Sequence, residues 1–137
     1  MARVISGPKG SGKTKRMIDN ANEKVAEGVG EIVFMNDREK YRVKLDNSIR
    51  YVNAEDFFIS SPDVLFGFLS GLIAENYDIN TIYIDNVLRI LKLDHPSKLE
   101  PFIQQLEKLE KQYNVTFVLS VSSAEEDLPE FLKKVVC

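Results

Sequence analysis

Hydrophobic and polar positions alternate between two patterns along this chain. Short, nearly continuous apolar runs predict strands at residues 3–6, 31–36, 81–85 and 116–122. Helical patterns predict a polar helix at residues 12–26, a strongly apolar helix at 63–77 and an amphipathic helix at 98–113. Strands that alternate with helices are typical of a parallel sheet covered by helices. We therefore expect a three-layer α/β/α sandwich with a mainly parallel sheet of about five strands.

Two segments give weaker patterns. Residues 40–52 fit either a hairpin with a tight turn or a loop that leads into one parallel strand. The tail, residues 128–136, predicts a helix, and an ending as a short strand at 134–136 stays open. No repeat or linker interrupts the chain, so residues 1–137 are expected to form a single domain. The basic residues of the first segment would share one face of an extended edge strand, where lysines block aggregation: Arg38, Lys40, Arg42 and Lys44.

The glycines and phenylalanines of the central apolar region have structural interpretations. Gly67 and Gly71 are expected to permit close packing of the helix on the sheet. The four phenylalanines of this region are expected to lie in the core, while an exposed subset would mark an interface: Phe57, Phe58, Phe66 and Phe68.

Composition limits the classes of function. A chain of 137 residues with 44% apolar and 28% charged residues is typical of one soluble globular domain. The net charge of −3 removes the electrostatic case for a dedicated nucleic-acid binder. The most apolar stretch, residues 64–74, has about half the length of a membrane span. We expect a cytoplasmic protein with no membrane span.

Cysteine and histidine, the usual ligands of zinc, occur once each in the chain. A single cysteine, Cys137, forms neither a disulfide framework nor a cysteine zinc site. The single histidine, His95, precedes Pro96 and has no partner at ligand spacing, so we interpret it as a loop residue.

Residues 7–14 carry the strongest chemical signal. Their pattern, Gly-x-x-x-x-Gly-Lys-Ser/Thr, follows a predicted strand and opens a predicted helix. Glycines there allow the backbone N–H groups to turn inward around an anion, and the helix N-terminus adds further donors. Lys13 is expected to reach the β- and γ-phosphates, and Thr14 to offer its hydroxyl to Mg²⁺. A nucleoside triphosphate is therefore predicted to bind at Gly7, Pro8, Lys9, Gly10, Ser11, Gly12, Lys13 and Thr14.

Asp85 belongs with this loop. It follows the apolar strand Thr81-Ile82-Tyr83-Ile84, and in an open parallel sheet its carboxylate emerges at the carboxyl edge, where the glycine loop also lies. We predict that Asp85 holds Mg²⁺ through water. Lys13 and Asp85 are thus the predicted catalytic residues, and Thr14 and Asp85 the predicted metal ligands.

The two motifs, in this order of elements, resemble the P-loop NTPase superfamily. More narrowly they resemble its additional-strand branch, which includes RecA-like ATPases and the zinc-containing thymidine kinases. The resemblance covers nearly the whole chain as a pattern of elements, although only residues 7–14 and 82–85 match as motifs. It implies a P-loop NTPase fold with ATP and Mg²⁺ as cofactors.

The chain departs from that pattern in ways that limit the comparison. Many members of the branch place a glutamate directly after the aspartate to polarise the attacking water, and this chain has Asn86. The zinc lobe of the thymidine kinases needs cysteines that this chain lacks, so their nucleoside substrate is not carried over. A polar γ-phosphate sensor is implied on residues 116–122, where Ser120 and Ser122 are candidates, although each is more simply a strand-end hydroxyl.

The base of the nucleotide has no positive signature. GTPases need Asn or Thr, then Lys, any residue and Asp, and the nearest string, residues 91–94 (LKLD), begins with leucine and follows Asp85 too early. ATP is therefore the default. Asp37, Arg38 and Glu39 follow the second strand and either border the nucleotide, with Arg38 reaching phosphate, or form a solvated turn.

Three classes of function remain open. The first is a small ATPase or phosphotransferase, the second a nucleotide-dependent switch or interaction module, and the third a scaffold that has lost nucleotide binding. Asn86 favours the second class over the first, and the intact glycine loop disfavours the third. Residues 57–77 contain no arginine, so no acceptor site is predicted. A protein partner or a homo-oligomer stays open.

Overall fold

The structure is a computed structural model that describes residues 2–133, with the side chain of Glu125 excepted. The predicted ending of the tail at residues 134–136 and Cys137 lie outside the described residues. Among the helices of residues 2–133, none has the length and apolar character that crossing a membrane requires.

Five strands form one sheet, and every neighbouring pair in it is parallel. The order across the sheet is β1-β5-β4-β2-β3. The strands are β1 (Arg3–Gly7), β2 (Glu31–Asn36), β3 (Arg50–Asn53), β4 (Ile79–Ile84) and β5 (Thr116–Ser122). The predicted α/β class and the predicted number of strands are confirmed.

Helices connect the strands. They are α1 (Lys13–Glu27), α2 (Pro62–Glu75), α3 (Val87–Leu91), α4 (Glu100–Tyr113) and α5 (Glu130–Lys133). Short 3₁₀ turns are interspersed at Glu39–Lys44, Ala54–Phe57, Pro96–Leu99 and Glu125–Asp127. The three long helices agree with the predicted ones to within two residues at each end, whereas the sequence pattern did not predict α3.

Two apolar clusters lie on opposite faces of the sheet, because successive strand residues point to opposite sides. In β2, Ile32 and Phe34 pack with the α1 residues Met17, Ile18 and Ala21. Val33 and Met35, the alternate residues of the same strand, pack in the larger cluster with buried residues of α2 and α4. The helices therefore cover both faces, which is consistent with the expected three layers.

Residues 40–52 do not form the hairpin that the sequence left open. Glu39–Lys44 is a 3₁₀ turn, and β3 follows it as a parallel strand. Local contacts favour the turn, since Arg42 donates from Nε to Glu39 at 2.9 Å across three residues and lies 4.8 Å from the centre of the Tyr51 ring. The basic residues 38–44 therefore do not share one face of an extended edge strand, and that interpretation is wrong.

The surface near α2 differs from the prediction in two further ways. Gly67 and Gly71 lie on the exposed face of the helix, and a Cβ atom at either one would meet nothing within 4 Å, so they do not permit close packing on the sheet. Phe57 and Phe58 are 51% and 86% exposed, so they are not core residues. Phe58 follows the 3₁₀ turn Ala54–Phe57 and has a positive φ of 57°. The periodicity of hydrophobic residues in helices and strands does not predict this conformation.

Candidate functional site

The glycine loop connects β1 to α1 through two residues in the left-handed region. Gly10 and Gly12 have φ angles of 84° and 86°, which L side chains rarely adopt. No side chain caps the N-terminus of α1, so the first N–H groups of this helix remain available to a ligand. At Gly7, an added Cβ would approach Ser11 Oγ to 2.5 Å, so the loop closes on itself at this point. This geometry is suited to an anion.

Lys13 is the first residue of α1, and its side chain turns back across the loop. Lys13 is 6% exposed, and its Nζ donates a hydrogen bond to the carbonyl oxygen of Pro8 at 3.0 Å. Burial lowers the pKa of Lys13, and the negative charge of Asp85 opposes this shift. An ammonium group has three N–H donors. The bond to the Pro8 carbonyl uses one of them, so the others can donate to an anionic ligand.

Asp85 is fully buried at the carboxyl end of β4 and accepts hydrogen bonds from three elements. Thr14 Oγ1 of α1 donates to Oδ2 at 2.6 Å, and Asn36 Nδ2 of β2 donates to the same oxygen at 2.7 Å. Ser120 Oγ of β5 donates to Oδ1. The two predicted metal ligands, Thr14 and Asp85, are thus brought into direct contact although 71 residues separate them.

Ser120 and Ser122 have different surroundings, although both were sensor candidates. Ser120 is fully buried, and its hydroxyl also accepts from the backbone N–H of Asn86 at 2.7 Å, so it supports Asp85 and does not line a cleft. Ser122 is exposed, lines the cleft described below and donates to Asn86 Oδ1 at 3.2 Å. A ligand-sensing role therefore stays a prediction for Ser122 alone.

Asn36 is a site residue that the sequence analysis did not assign. It is fully buried, and while its Nδ2 donates to Asp85, its Oδ1 accepts from the backbone N–H groups of Asp37 and Arg38 at 2.5 and 3.0 Å. It thereby links the carboxylate to the loop after β2. The available signal was a polar residue at the end of an otherwise apolar strand.

Arg89 is a second residue that the sequence analysis missed. From α3 it donates two hydrogen bonds to Asp37, Nε to Oδ2 at 2.8 Å and Nη2 to Oδ1 at 2.5 Å. The bond to Asp37 raises the pKa of Arg89. Glu39 accepts a hydrogen bond from Arg42. Of residues 37–39, Arg38 lines the cleft described below. Arg89 gave no signal because α3 has five residues, too few for a helical pattern.

A cleft of about 710 Å³ opens beside the glycine loop. Five cationic side chains and one carboxylate, Asp94, line it, although the whole chain carries a net charge of −3. Such a local excess of positive charge attracts anions. The lining residues are Lys9, Gly10, Gly12, Lys13, Thr14, Lys15, Arg38, Tyr41, Asn86, Leu88, Arg89, Leu93, Asp94 and Ser122.

The protein alone supplies too few oxygen ligands for a hard cation such as Mg²⁺, so a bound ligand would have to supply others. Within residues 2–133, no group of three or more His, Cys, Asp or Glu side chains is arranged to hold a metal ion. Thr14 and Asp85 supply oxygen atoms, which Mg²⁺ prefers, and Mg²⁺ commonly completes its shell with water and substrate phosphates. His95 accepts from the backbone N–H of Ser97 at 3.0 Å, as expected of a loop residue.

Comparison with known proteins does not add to this picture. No protein-family model matches the chain, and no curated protein matches its sequence.

The double role of the Ser120 hydroxyl predicts a stability effect. Ser120→Ala removes one donor to the buried Asp85 carboxylate and the acceptor for the Asn86 N–H. We expect a loss of about 1–3 kcal/mol in the free energy of unfolding, measured by urea denaturation. The control Ser122→Ala, at an exposed position two residues along, should change it by less than about 0.5 kcal/mol. Equal effects of the two variants would contradict a supporting role for Ser120.

Proposed function

We propose that this protein binds ATP with Mg²⁺ as a member of the P-loop NTPase superfamily, and that it is a small ATPase or a nucleotide-dependent switch with slow intrinsic hydrolysis. The observation that carries the proposal is the contact between Thr14 and Asp85 beside the left-handed glycine loop. A hydroxyl on the first turn of a helix and a carboxylate after a buried strand are the pair that binds Mg²⁺ in such sites.

The phosphate-binding half of the proposal rests on the loop. Uncapped N–H groups of α1, the positive end of the helix dipole and the Lys13 ammonium all meet at residues 10–14. In the proposed complex, Lys13 donates to the β- and γ-phosphates and stabilises the charge that develops on transfer. Burial lowers the pKa of this lysine, and the approach of a phosphate would favour its charged form.

The metal half rests on the buried network. Mg²⁺ would neutralise part of the negative charge of the nucleotide phosphates. Thr14 offers its hydroxyl and Asp85 holds the position of that hydroxyl, while Asn36 and Ser120 fix the carboxylate in turn. Because the protein alone supplies few metal ligands, the cation is expected to arrive with the nucleotide.

The strand order supports the additional-strand branch of the superfamily. β5 lies between β1, which leads into the glycine loop, and β4, which leads into Asp85. The strand for which that branch is named occupies this intermediate position. No comparable observation identifies the base of the nucleotide. Leu91 stands at the position where the GTPase motif needs Asn or Thr, and it is buried in the core. ATP is proposed by default.

Slow hydrolysis follows from the groups that face the cleft. Asn86, in place of a glutamate, has a left-handed backbone with φ 59° and ψ 52°, which asparagine tolerates better than most residues. The one carboxylate among the lining residues is Asp94, whose pKa is lowered by Lys98, with Nζ 2.8 Å from its Oδ1. A carboxylate held in its charged form by a lysine is a weak general base.

Phosphotransfer is the second candidate function, and one observation favours it. The sequence analysis found no arginine in residues 57–77 and predicted no acceptor site, yet Arg38 and Arg89 line the cleft from elsewhere in the chain. Arginines in the same cleft as the glycine loop suit an anionic acceptor. A non-hydrolysing interaction module, with a protein partner or a second copy, is the remaining alternative.

Nucleotide binding predicts a stabilisation that depends on Lys13. At an Mg-ATP concentration about 100 times Kd, the folded protein should gain roughly 2.7 kcal/mol, a rise in Tm of roughly 5–10 °C. Lys13→Ala should remove most of this rise in differential scanning fluorimetry. Lys24→Ala, which removes the same charge from the last turn of the same helix, should retain it. If both variants keep the full rise, nucleotide binds elsewhere or the loop is structural.

Hydrolysis by the isolated protein is expected to be slow. Single-turnover rates near 10⁻⁴ to 10⁻² s⁻¹ are typical of sites that orient water without a strong base. Asn86→Asp keeps a residue that tolerates the left-handed backbone and introduces a carboxylate, so it should accelerate hydrolysis, as should Asn86→Glu if that variant retains its Tm. Lys13→Ala is the blank. A wild-type rate above about 1 s⁻¹ would contradict the slow-switch proposal.

A further inference from the structure

Most cations of the cleft already have a partner within the protein. Lys13 donates to the Pro8 carbonyl, and Lys15 pairs with Asp19 at 2.8 Å on the outer surface of α1. Arg89 pairs with Asp37 through both of its donated hydrogen bonds. These partners fix the positions of the three charged groups and use part of their hydrogen-bonding capacity.

Arg38 differs from these cations. It is exposed, it lines the same cleft as the glycine loop, and within residues 2–133 its guanidinium forms no hydrogen bond or ion pair. Lys9 is likewise without such a partner in the described part of the chain, but it belongs to the glycine loop itself. Arg38 is therefore the one cation of the cleft outside the glycine loop whose side chain has no such partner in the described part of the chain.

The backbone of Arg38 is fixed although its side chain is exposed. Its N–H donates to Asn36 Oδ1 at 3.0 Å, and its carbonyl oxygen accepts from the Tyr51 hydroxyl at 2.6 Å. Burial raises the pKa of Tyr51 to about 12, so the hydroxyl remains a donor at neutral pH. The base of the side chain thus has a defined position, which lowers the entropy lost when its head binds a ligand.

The same hydrogen bonds set the position of Arg38 relative to the proposed metal site. Asn36 bonds both the backbone of Arg38 and Oδ2 of Asp85, the oxygen that also accepts from Thr14. Under the proposed function, Thr14 and Asp85 would hold the Mg²⁺ that accompanies the terminal phosphates of the nucleotide. Because Asn36 connects Arg38 to this part of the cleft, Arg38 would then lie near the end of the nucleotide at which ATP and ADP differ.

We propose that Arg38 binds the terminal phosphate and makes this site discriminate a nucleoside triphosphate from a diphosphate. The proposal rests on the proposed function. A guanidinium is charged at all physiological pH values and binds phosphate oxygens with two parallel hydrogen bonds. Arg89, the other arginine that lines the cleft, already uses Nε and Nη2 for Asp37. Contact with Arg38 also ties the terminal phosphate to the adjoining turn Glu39–Lys44.

Isothermal titration calorimetry with Mg-ATP and Mg-ADP tests this assignment. Arg38→Gln should weaken ATP binding by about 10-fold or more, the usual loss for a charge-assisted hydrogen bond, and change ADP binding by less than about twofold. Arg38→Lys, which keeps the charge and loses the fork, should fall between wild type and Arg38→Gln for ATP. Lys40→Gln is the matched control, since Lys40 is exposed, does not line the cleft and lies over the Tyr41 ring.

The outcomes separate the inference from the function on which it rests. Equal losses for ATP and ADP in Arg38→Gln would indicate general electrostatic attraction and overturn the assignment. Unchanged affinities for both would also overturn it and leave Arg38 to an acceptor or a partner. A wild-type protein that binds neither nucleotide would remove the proposed function and the inference together. Tm values measured beside each titration show whether the variants are folded.

Discussion

The buried carboxylate of Asp85 is the constraint on which this site depends. A carboxylate removed from water is costly unless donors surround it, and here Thr14, Asn36 and Ser120 supply them. These donors come from α1, β2 and β5, so satisfying one side chain on β4 brings the ends of four elements together. Through Thr14, the first turn of α1, which directly follows the glycine loop, is bonded to the residue at the end of β4.

The consequences extend from the carboxylate in both directions. Through Ser120 the network reaches the backbone of Asn86, and through Asn36 it reaches the loop that carries Arg38. The backbones of Asn86 and Arg38 are therefore held by hydrogen bonds to buried side chains, whereas the guanidinium of Arg38 remains exposed. This division of roles suits a ligand that is anionic and exchangeable, as the proposed nucleotide is.

Sequence patterns predicted the parts of the molecule that depend on local regularity or on a spaced motif. The strand at residues 116–122 matches β5 at both ends, and the glycine loop and Asp85 were expected at one edge of the sheet, where both lie. The patterns failed where a structure is short or depends on contacts between distant residues. Examples are α3 with Arg89, the turn Glu39–Lys44 and the amide of Asn36. Phe58 was misplaced because hydrophobicity alone does not reveal a side chain that is exposed on a left-handed residue.

The central claim, that Asp85 organises a site for nucleotide with Mg²⁺, is tested most directly by the magnesium dependence of ATP binding. Calorimetric titrations of wild type, Asp85→Asn and the cleft control Asp94→Asn would be made with Mg²⁺ and with EDTA, after Tm measurements show that each variant is folded. The account predicts that Asp85→Asn loses most of the affinity gained from Mg²⁺ and keeps most of the metal-free binding, because neutralising the carboxylate removes charge balance only when the cation is present. Asp94→Asn should keep the gain. An unaltered magnesium dependence in Asp85→Asn would contradict the account.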